Sequence, residues 1–122
     1  MIQGLYAITP SGLEENDLLS KTEVLLKEGV KLIQYRDKII DKKTVLEKAH
    51  ALLKLTKKYG AKLVINDHVE ICLEVSADGF HLGLEDYLSE ANLELLKKNK
   101  EFITQNLICG LSCKWNKELV VN

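Results

Sequence analysis

The sequence predicts an α/β fold in which about four and a half consecutive βα units build a parallel sheet. Short apolar runs alternate with longer amphipathic ones along the chain, a change of period from strand-like to helix-like. Some of the short runs, KLVI at 62–65 and LICGL at 107–111, are nearly continuous in apolar residues, as in strands buried on both faces. Turn and capping residues, including Thr9-Pro10-Ser11-Gly12, Gly29 and Gly60, fall between the runs.

The first strand is expected over Ile2–Ile8, ended by the turn at 9–12. Glu14–Glu28 carries Leu18, Leu19, Val24, Leu25 and Leu26 mostly at helical spacing, with Gly29 as its C-terminal cap. Val30–Tyr35 reads as the second strand. Asp41–Tyr59 is the clearest helix, with Val45, Leu46, Ala49, Leu52, Leu53 and Thr56 on one face and Gly60 closing it. Ala61–Ile65 is the third strand, Val69–Val75 a short helix and Gly79–Leu82 the fourth strand. Ser89 can cap a helix over Ser89–Lys98, Leu107–Leu111 is the fifth strand, and Asn116–Val121 is expected to begin a fifth helix. Strands alternating with helices imply right-handed βαβ crossovers. A closed barrel of the TIM (β/α)8 type needs eight such units and typically ~250 residues. The expectation for 1–122 is therefore one partial domain, an incomplete barrel.

Composition narrows the function classes. With 46% hydrophobic and 29% charged residues, the chain is globular rather than disordered. A formal net charge of −1 offers no footprint for nucleic acid or an anionic membrane surface. The lysine pairs at 42–43, 57–58 and 97–98 read as solvated helix faces. Three cysteines, Cys72, Cys109 and Cys113, include no Cys-x-x-Cys pair, so they suggest free thiols in a reducing compartment rather than zinc or disulfides. MIQGLYAITP has no basic stretch before a long apolar run, and no run approaches the ~18 residues of a membrane span. A cytoplasmic location is the expectation.

In parallel α/β folds the carboxyl ends of the strands share one face, and that face carries the site. Gln34-Tyr35-Arg36-Asp37-Lys38 follows the second strand, Asn66-Asp67-His68 the third, Gly83-Leu84-Glu85-Asp86 the fourth and Ser112-Cys113-Lys114 the fifth. In an extended segment, Gln34, Arg36 and Lys38 project to one side and can converge on an anion. Arginine offers a planar fork for phosphate oxygens, and lysine a compact charge. Asp67 and Asp86 are hard oxygen ligands that suit Mg²⁺, whose shell is completed by water and phosphate oxygens. Asn66 can hydrogen-bond a substrate heteroatom or a phosphate oxygen. The same residues also fit a plainer reading. Arg36, Lys38, Asp67 and Asp86 make ordinary surface ion pairs in it, and Asn66-Asp67 caps the following helix.

LYAIT in the first strand, QYRDK after the second, LVINDHVEICLEVSADGFHLGLED across the third and fourth, and ICGLSC at the fifth together resemble the thiamine-phosphate synthase family. The resemblance covers Leu5 to Ser112, nearly all of this chain but part of the family's length. It implies a magnesium-dependent transferase on a (β/α)8 barrel. That enzyme joins 4-amino-2-methyl-5-hydroxymethylpyrimidine diphosphate to a thiazole phosphate, giving thiamine phosphate and pyrophosphate. By the same resemblance Gln34, Arg36, Lys38, Asn66 and Ser112 hold the pyrimidine diphosphate, with Tyr35 and Asp37 in the same segment, and Asp67 and Asp86 bind the magnesium. Arg36 and Lys38 carry the catalytic role of stabilising the departing charge.

Several residues depart from the family pattern. His68 stands where the family usually has Arg and reads as a rim residue; His81 reads as a core or supporting residue, and His50 has no site logic. The family's later phosphate loops are not in this sequence, so the isolated chain is expected to be weakly active or inactive, and a truncated synthase is the leading expectation. The competing readings are a thiazole tautomerase, which has little need of both carboxylates, and a non-catalytic half-barrel that dimerises or binds a pyrimidine phosphate. An open sheet edge and apolar inner face predict self-association, a second copy shielding the Leu107–Leu111 edge.

Overall fold

The alternating segments fold into a six-stranded sheet with helices between its strands in a computed structural model, which describes residues 6–38, 41–83, 89–112 and 118–121. For 110–112 and 118–121 the description is of the backbone. In chain order the elements are β1 (Tyr6–Ile8), α1 (Glu15–Lys27), β2 (Leu32–Tyr35), α2 (Lys42–Lys58), β3 (Lys62–Asn66), α3 (Val69–Val75), β4 (Gly79–Gly83), α4 (Glu90–Lys98), α5 (Lys100–Asn106), β5 (Ile108–Ser112) and β6 (Glu118–Val121). From the first strand to the fifth, the expected strands and helices occur with ends shifted by at most two residues; the part of the first strand at 2–5 lies outside the described residues.

β1 to β5 lie side by side in sequence order and all run parallel. A doubly wound sheet reverses its strand order at a switch point. This one advances in a single sense, as the wall of a (β/α) barrel does. Consecutive helices also touch, α1 against α2, α2 against α3 and α3 against α4, so they form one layer.

Alternation divides the sheet into two faces. Ile33, Tyr35, Leu63, Ile65, Phe80 and Leu82 are buried with Leu18, Leu26, Val45, Ala49, Leu52, Ile71 and Val75 of the helices in one core. Each valine, leucine, isoleucine or phenylalanine among them removed from water stabilises the fold by about 1.5–3 kcal/mol. The opposite, inner face carries Gln34, Val64, Asn66 and His81, which are buried outside that core. The helices end as their sequences suggest. Gly29 and Gly60 take positive φ, and the Val30 and Ala61 N–H groups reach back to the Leu25 and Thr56 carbonyls. Ser89 caps α4, accepting from the Asn92 N–H at 3.3 Å.

Two features correct the sequence expectation. Where a helix is expected over Asn116–Val121, the described residues Glu118–Val121 form β6, antiparallel to β5, with Cys109 opposite Val121 and Ser112 opposite Glu118. Leu119-Val120-Val121 is too short to show a period, its valines favour extended backbone, and the open edge of β5 offers a row of unpaired groups. The Leu107–Leu111 edge is thus covered by this chain's own β6, not by a second copy. The short helix α5, held by buried Ile103, was not foreseen.

The amino ends of the strands are tied by a residue without a chemical motif. The Asp78 carboxylate accepts the Leu63 N–H at 2.8 Å, and its backbone carbonyl accepts the Ile108 N–H at 2.9 Å, linking β3, β4 and β5. Asp78→Ala is expected to cost about 1.5–3 kcal/mol in denaturant unfolding. Unchanged stability would show that water replaces this clamp.

Candidate functional site

The parallel register sets the carboxyl ends of β1 to β5 on one side of the sheet. Tyr35 pairs with Ile65, and Asn66 with His81, so Arg36 leaves the end of β2 one residue past the Tyr35–Ile65 pair, beside the Asn66–His81 pair of β3 and β4. Gly83 and Ser112 pair two residues further out. Gln34 and Asn66 are buried amides on the inner face, whereas Arg36 and Lys38 are exposed just beyond β2. A buried amide beside exposed cations is a combination that favours an anion with several oxygens.

The loop bearing Arg36 and Lys38 is held from beneath. The Arg36 N–H donates to Thr9 Oγ1 at 3.1 Å, and the Lys38 N–H to Ser11 Oγ at 2.8 Å. Asp37 Oδ1 accepts from the Ser11 hydroxyl and the Gly12 N–H, each at 3.2 Å. Its Oδ2 accepts from the Tyr35 hydroxyl at 3.0 Å and from Lys48 Nζ at 3.3 Å. Lys48 also donates to the Leu13 carbonyl. The Lys48 and Asp37 side chains are 6% and 3% exposed, so this ion pair is shut off from solvent. Burial works to raise the Asp37 carboxyl, but the Gly12 N–H, the Tyr35 hydroxyl and the Lys48 ammonium outweigh it and hold it below its usual range. Burial, followed by the Asp37 charge and hydrogen bond, pushes the Tyr35 hydroxyl far above its usual range.

This arrangement corrects the assignment of Tyr35 and Asp37 to substrate. Tyr35 packs in the core under the helices, and both Asp37 oxygens are engaged by the scaffold. They brace the loop that presents Arg36 and Lys38. Sequence reasoning missed Lys48 as well, although a lysine among Val45, Ala49 and Leu52 on the apolar face of α2 signals a buried partner.

Asp67, directly after β3, is exposed and holds a left-handed backbone with φ 68°. Aspartate tolerates this region better than most residues, and such conformations concentrate at functional sites. The conformation is tied down by the Asp67 N–H, which donates to the His81 carbonyl at 2.8 Å. His68 Nδ1 lies 3.6 Å from Glu70 Oε1, and His68 is the main cause of a lowered Glu70 carboxyl. His50 is exposed on α2. Cys72 donates to the Gly79 carbonyl and its thiol is pushed up to about 12, chiefly by burial; burial raises Cys109 too. Neither thiol is poised as a nucleophile.

Asp86 lies outside the described residues, and so does the side chain of Ser112. Among the described residues no cluster of three or more His, Cys, Asp or Glu could hold a metal by itself. An exposed Asp67 carboxylate at the carboxyl end of β3 nevertheless fits Mg²⁺, which takes few protein ligands and relies on phosphate oxygens. No helix among the described residues is long and apolar enough to cross a membrane.

The family model described as thiamine monophosphate synthase matches residues 5–121. The thiamine-phosphate synthase of Caldicellulosiruptor saccharolyticus is 49% identical over 111 residues, which are 91% of this chain and 46% of that protein. That of Nitrosospira multiformis is 40% identical over 113 residues, 92% of this chain and 45% of its own. The solved thiamine phosphate pyrophosphorylase from Pyrococcus furiosus superposes with a TM-score of 0.69 at 30% identity, covering 88% of this chain and 48% of that one. The chain therefore spans about half the length of these relatives. By sequence over 5–121 and by the single-sense winding of its sheet, the chain belongs to the thiamine monophosphate synthase family.

Proposed function

We propose that this chain supplies the diphosphate- and magnesium-binding half of a thiamine-phosphate synthase. The overall reaction joins hydroxymethylpyrimidine diphosphate to a thiazole phosphate. The bond between the pyrimidine methylene carbon and the diphosphate oxygen breaks, its electron pair leaves with pyrophosphate, and the thiazole nitrogen forms the new C–N bond. Such a step requires stabilisation of the leaving charge more than a strong base. Gln34, Arg36, Lys38 and Asn66 are assigned to the diphosphate, with Ser112 beside them. Asp67, with Asp86, is assigned to Mg²⁺, which when bound neutralises part of the phosphate charge.

The observation that carries this reading is the pairing of Asn66 with His81 on neighbouring strands, with Arg36 one residue past the Tyr35–Ile65 pair and Asp67 directly after Asn66. Calorimetry with the pyrimidine diphosphate tests it. Binding is expected to require Mg²⁺, and Arg36→Ala is expected to weaken it by about 10-fold or more, the worth of a charge-assisted hydrogen bond. Magnesium-independent heat unaffected by Arg36→Ala would reject the reading. The thiazole half is not assigned to these residues, so thiamine phosphate production by the 122-residue chain, abolished in Asp67→Ala, would contradict this division.

Asp67→Asn separates charge from conformation, because asparagine also tolerates the left-handed region. Stability is expected to stay within about 0.5 kcal/mol while the magnesium dependence disappears. Retained magnesium dependence would remove Asp67 from the metal site. Self-association belongs to the same proposal, since Tyr6 and Ile8 of β1 remain exposed. A strictly monomeric sedimentation profile would count against it. A cytoplasmic setting suits the free thiols Cys72 and Cys109.

A further inference from the structure

His81 lies on β4 opposite Asn66 of β3, and each residue is only 8% exposed. Its Nδ1 is 3.1 Å from Asn66 Oδ1. With Asn66 Oδ1 as the acceptor of this contact, its donor is the Nδ1–H tautomer of His81. The Asn66 NH₂ group is then turned away from His81. The His81 backbone carbonyl meanwhile accepts the Asp67 N–H at 2.8 Å and so supports the left-handed turn there. One residue thus constrains two successive members of the candidate site, through its side chain and its main chain.

The side-chain contact matters because the two ends of an amide are nearly the same in shape and opposite in hydrogen-bonding sense. Unconstrained, Asn66 can turn its carbonyl oxygen toward an anion, where it repels. With Oδ1 held by His81, the group left to face the anion is a donor. Packing alone does not make this choice; a protonated ring nitrogen does.

We propose that His81 is a positioning residue that, through Nδ1–H, locks the Asn66 amide with its NH₂ group toward the diphosphate. The inference rests on the diphosphate reading above, but it makes one claim that needs no ligand. Multiple-bond ¹H–¹⁵N spectra of the full chain, with histidines labelled, are expected to show His81 with its proton on Nδ1. A proton on Nε2 with bare Nδ1 would overturn the proposal, since Asn66 would then have to present NH₂ to the ring.

Binding of inorganic pyrophosphate with Mg²⁺ supplies the second measurement. His81→Leu is expected to weaken it roughly tenfold, the worth of one oriented hydrogen bond. His81→Asn, whose side-chain NH₂ reaches about the position of Nδ1, is expected to stay within about threefold of the parent. Equal losses in both variants at matched thermal stability would mean a packing role and reject the proposal. Should His81→Leu not fold, His81→Asn and the ring tautomer still decide. If the parent chain binds no magnesium pyrophosphate, the diphosphate reading fails, while the tautomer still reports how Asn66 is held.

Discussion

Asp37→Ala is expected to lose about 3–5 kcal/mol of stability, the cost of leaving a buried charge without its partner. Among the described residues, the Lys48 ammonium would keep the Leu13 carbonyl alone, in surroundings where its side chain is 6% exposed. Ser11, Gly12 and Tyr35 would lose their shared acceptor as well, so the β1–α1 loop would be held to the loop after β2 by fewer ties, the Arg36–Thr9 and Lys38–Ser11 hydrogen bonds remaining. For a domain with about 5–15 kcal/mol in hand, this is a large fraction. Combining Asp37→Ala with Lys48→Met is expected to recover much of the loss, because no uncompensated charge remains. Urea unfolding of the single and double variants measures both effects, and additive losses would show that the two groups do not act as a pair.

Acid should reveal the same brace. The folded Asp37 carboxyl lies below its usual range, so the folded chain binds that proton less readily than the unfolded chain does. Its contribution is present above the ordinary aspartate value near ~3.9 and is lost as pH falls through the lower folded value. Asp37→Asn is expected to flatten this part of the acid-unfolding profile. An unchanged acid limb would assign that sensitivity to other carboxylates.

Gly79→Ala is the second substitution with a large expected effect. A Cβ at this position would lie 2.1 Å from the Ile108 carbonyl oxygen and 2.8 Å from its carbonyl carbon and Cβ. Two of these atoms are backbone of the neighbouring strand, so no side-chain rotation relieves the clash. β5 must retreat from β4, where Gly79 pairs with Ile108. The expected loss is about 3 kcal/mol, the upper part of the overpacking range, with faster amide exchange at Ile108, whose N–H is bound to the Asp78 carbonyl. A variant with parental melting temperature and parental exchange would show that the strands can separate at no cost.

How far the residues disclosed this molecule depends on the range of the interaction. α2 and β3 were legible because helical spacing and a continuous apolar run are local patterns. The rim was legible because the ends of parallel strands share a side whatever their separation in the chain. The Ser11–Asp37–Lys48 brace was not, since Lys48 meets Leu13 35 residues away and only the folded loops bring them together. His81 likewise gained a definite role only once the β3–β4 register set it opposite Asn66. Glu118–Val121 misled because four residues carry no reliable period, and the edge of β5 decided their conformation.

The central claim is that the loops after β2 and β3 serve one anion. Titrating the ¹⁵N-labelled chain with magnesium pyrophosphate tests it through the backbone amides of Arg36, Asp37 and Lys38 on one loop and Asp67 and His68 on the other. Both sets are expected to shift together and to fit a single dissociation constant. Movement of one loop alone, or two distinct constants, would mean that no common diphosphate pocket joins them.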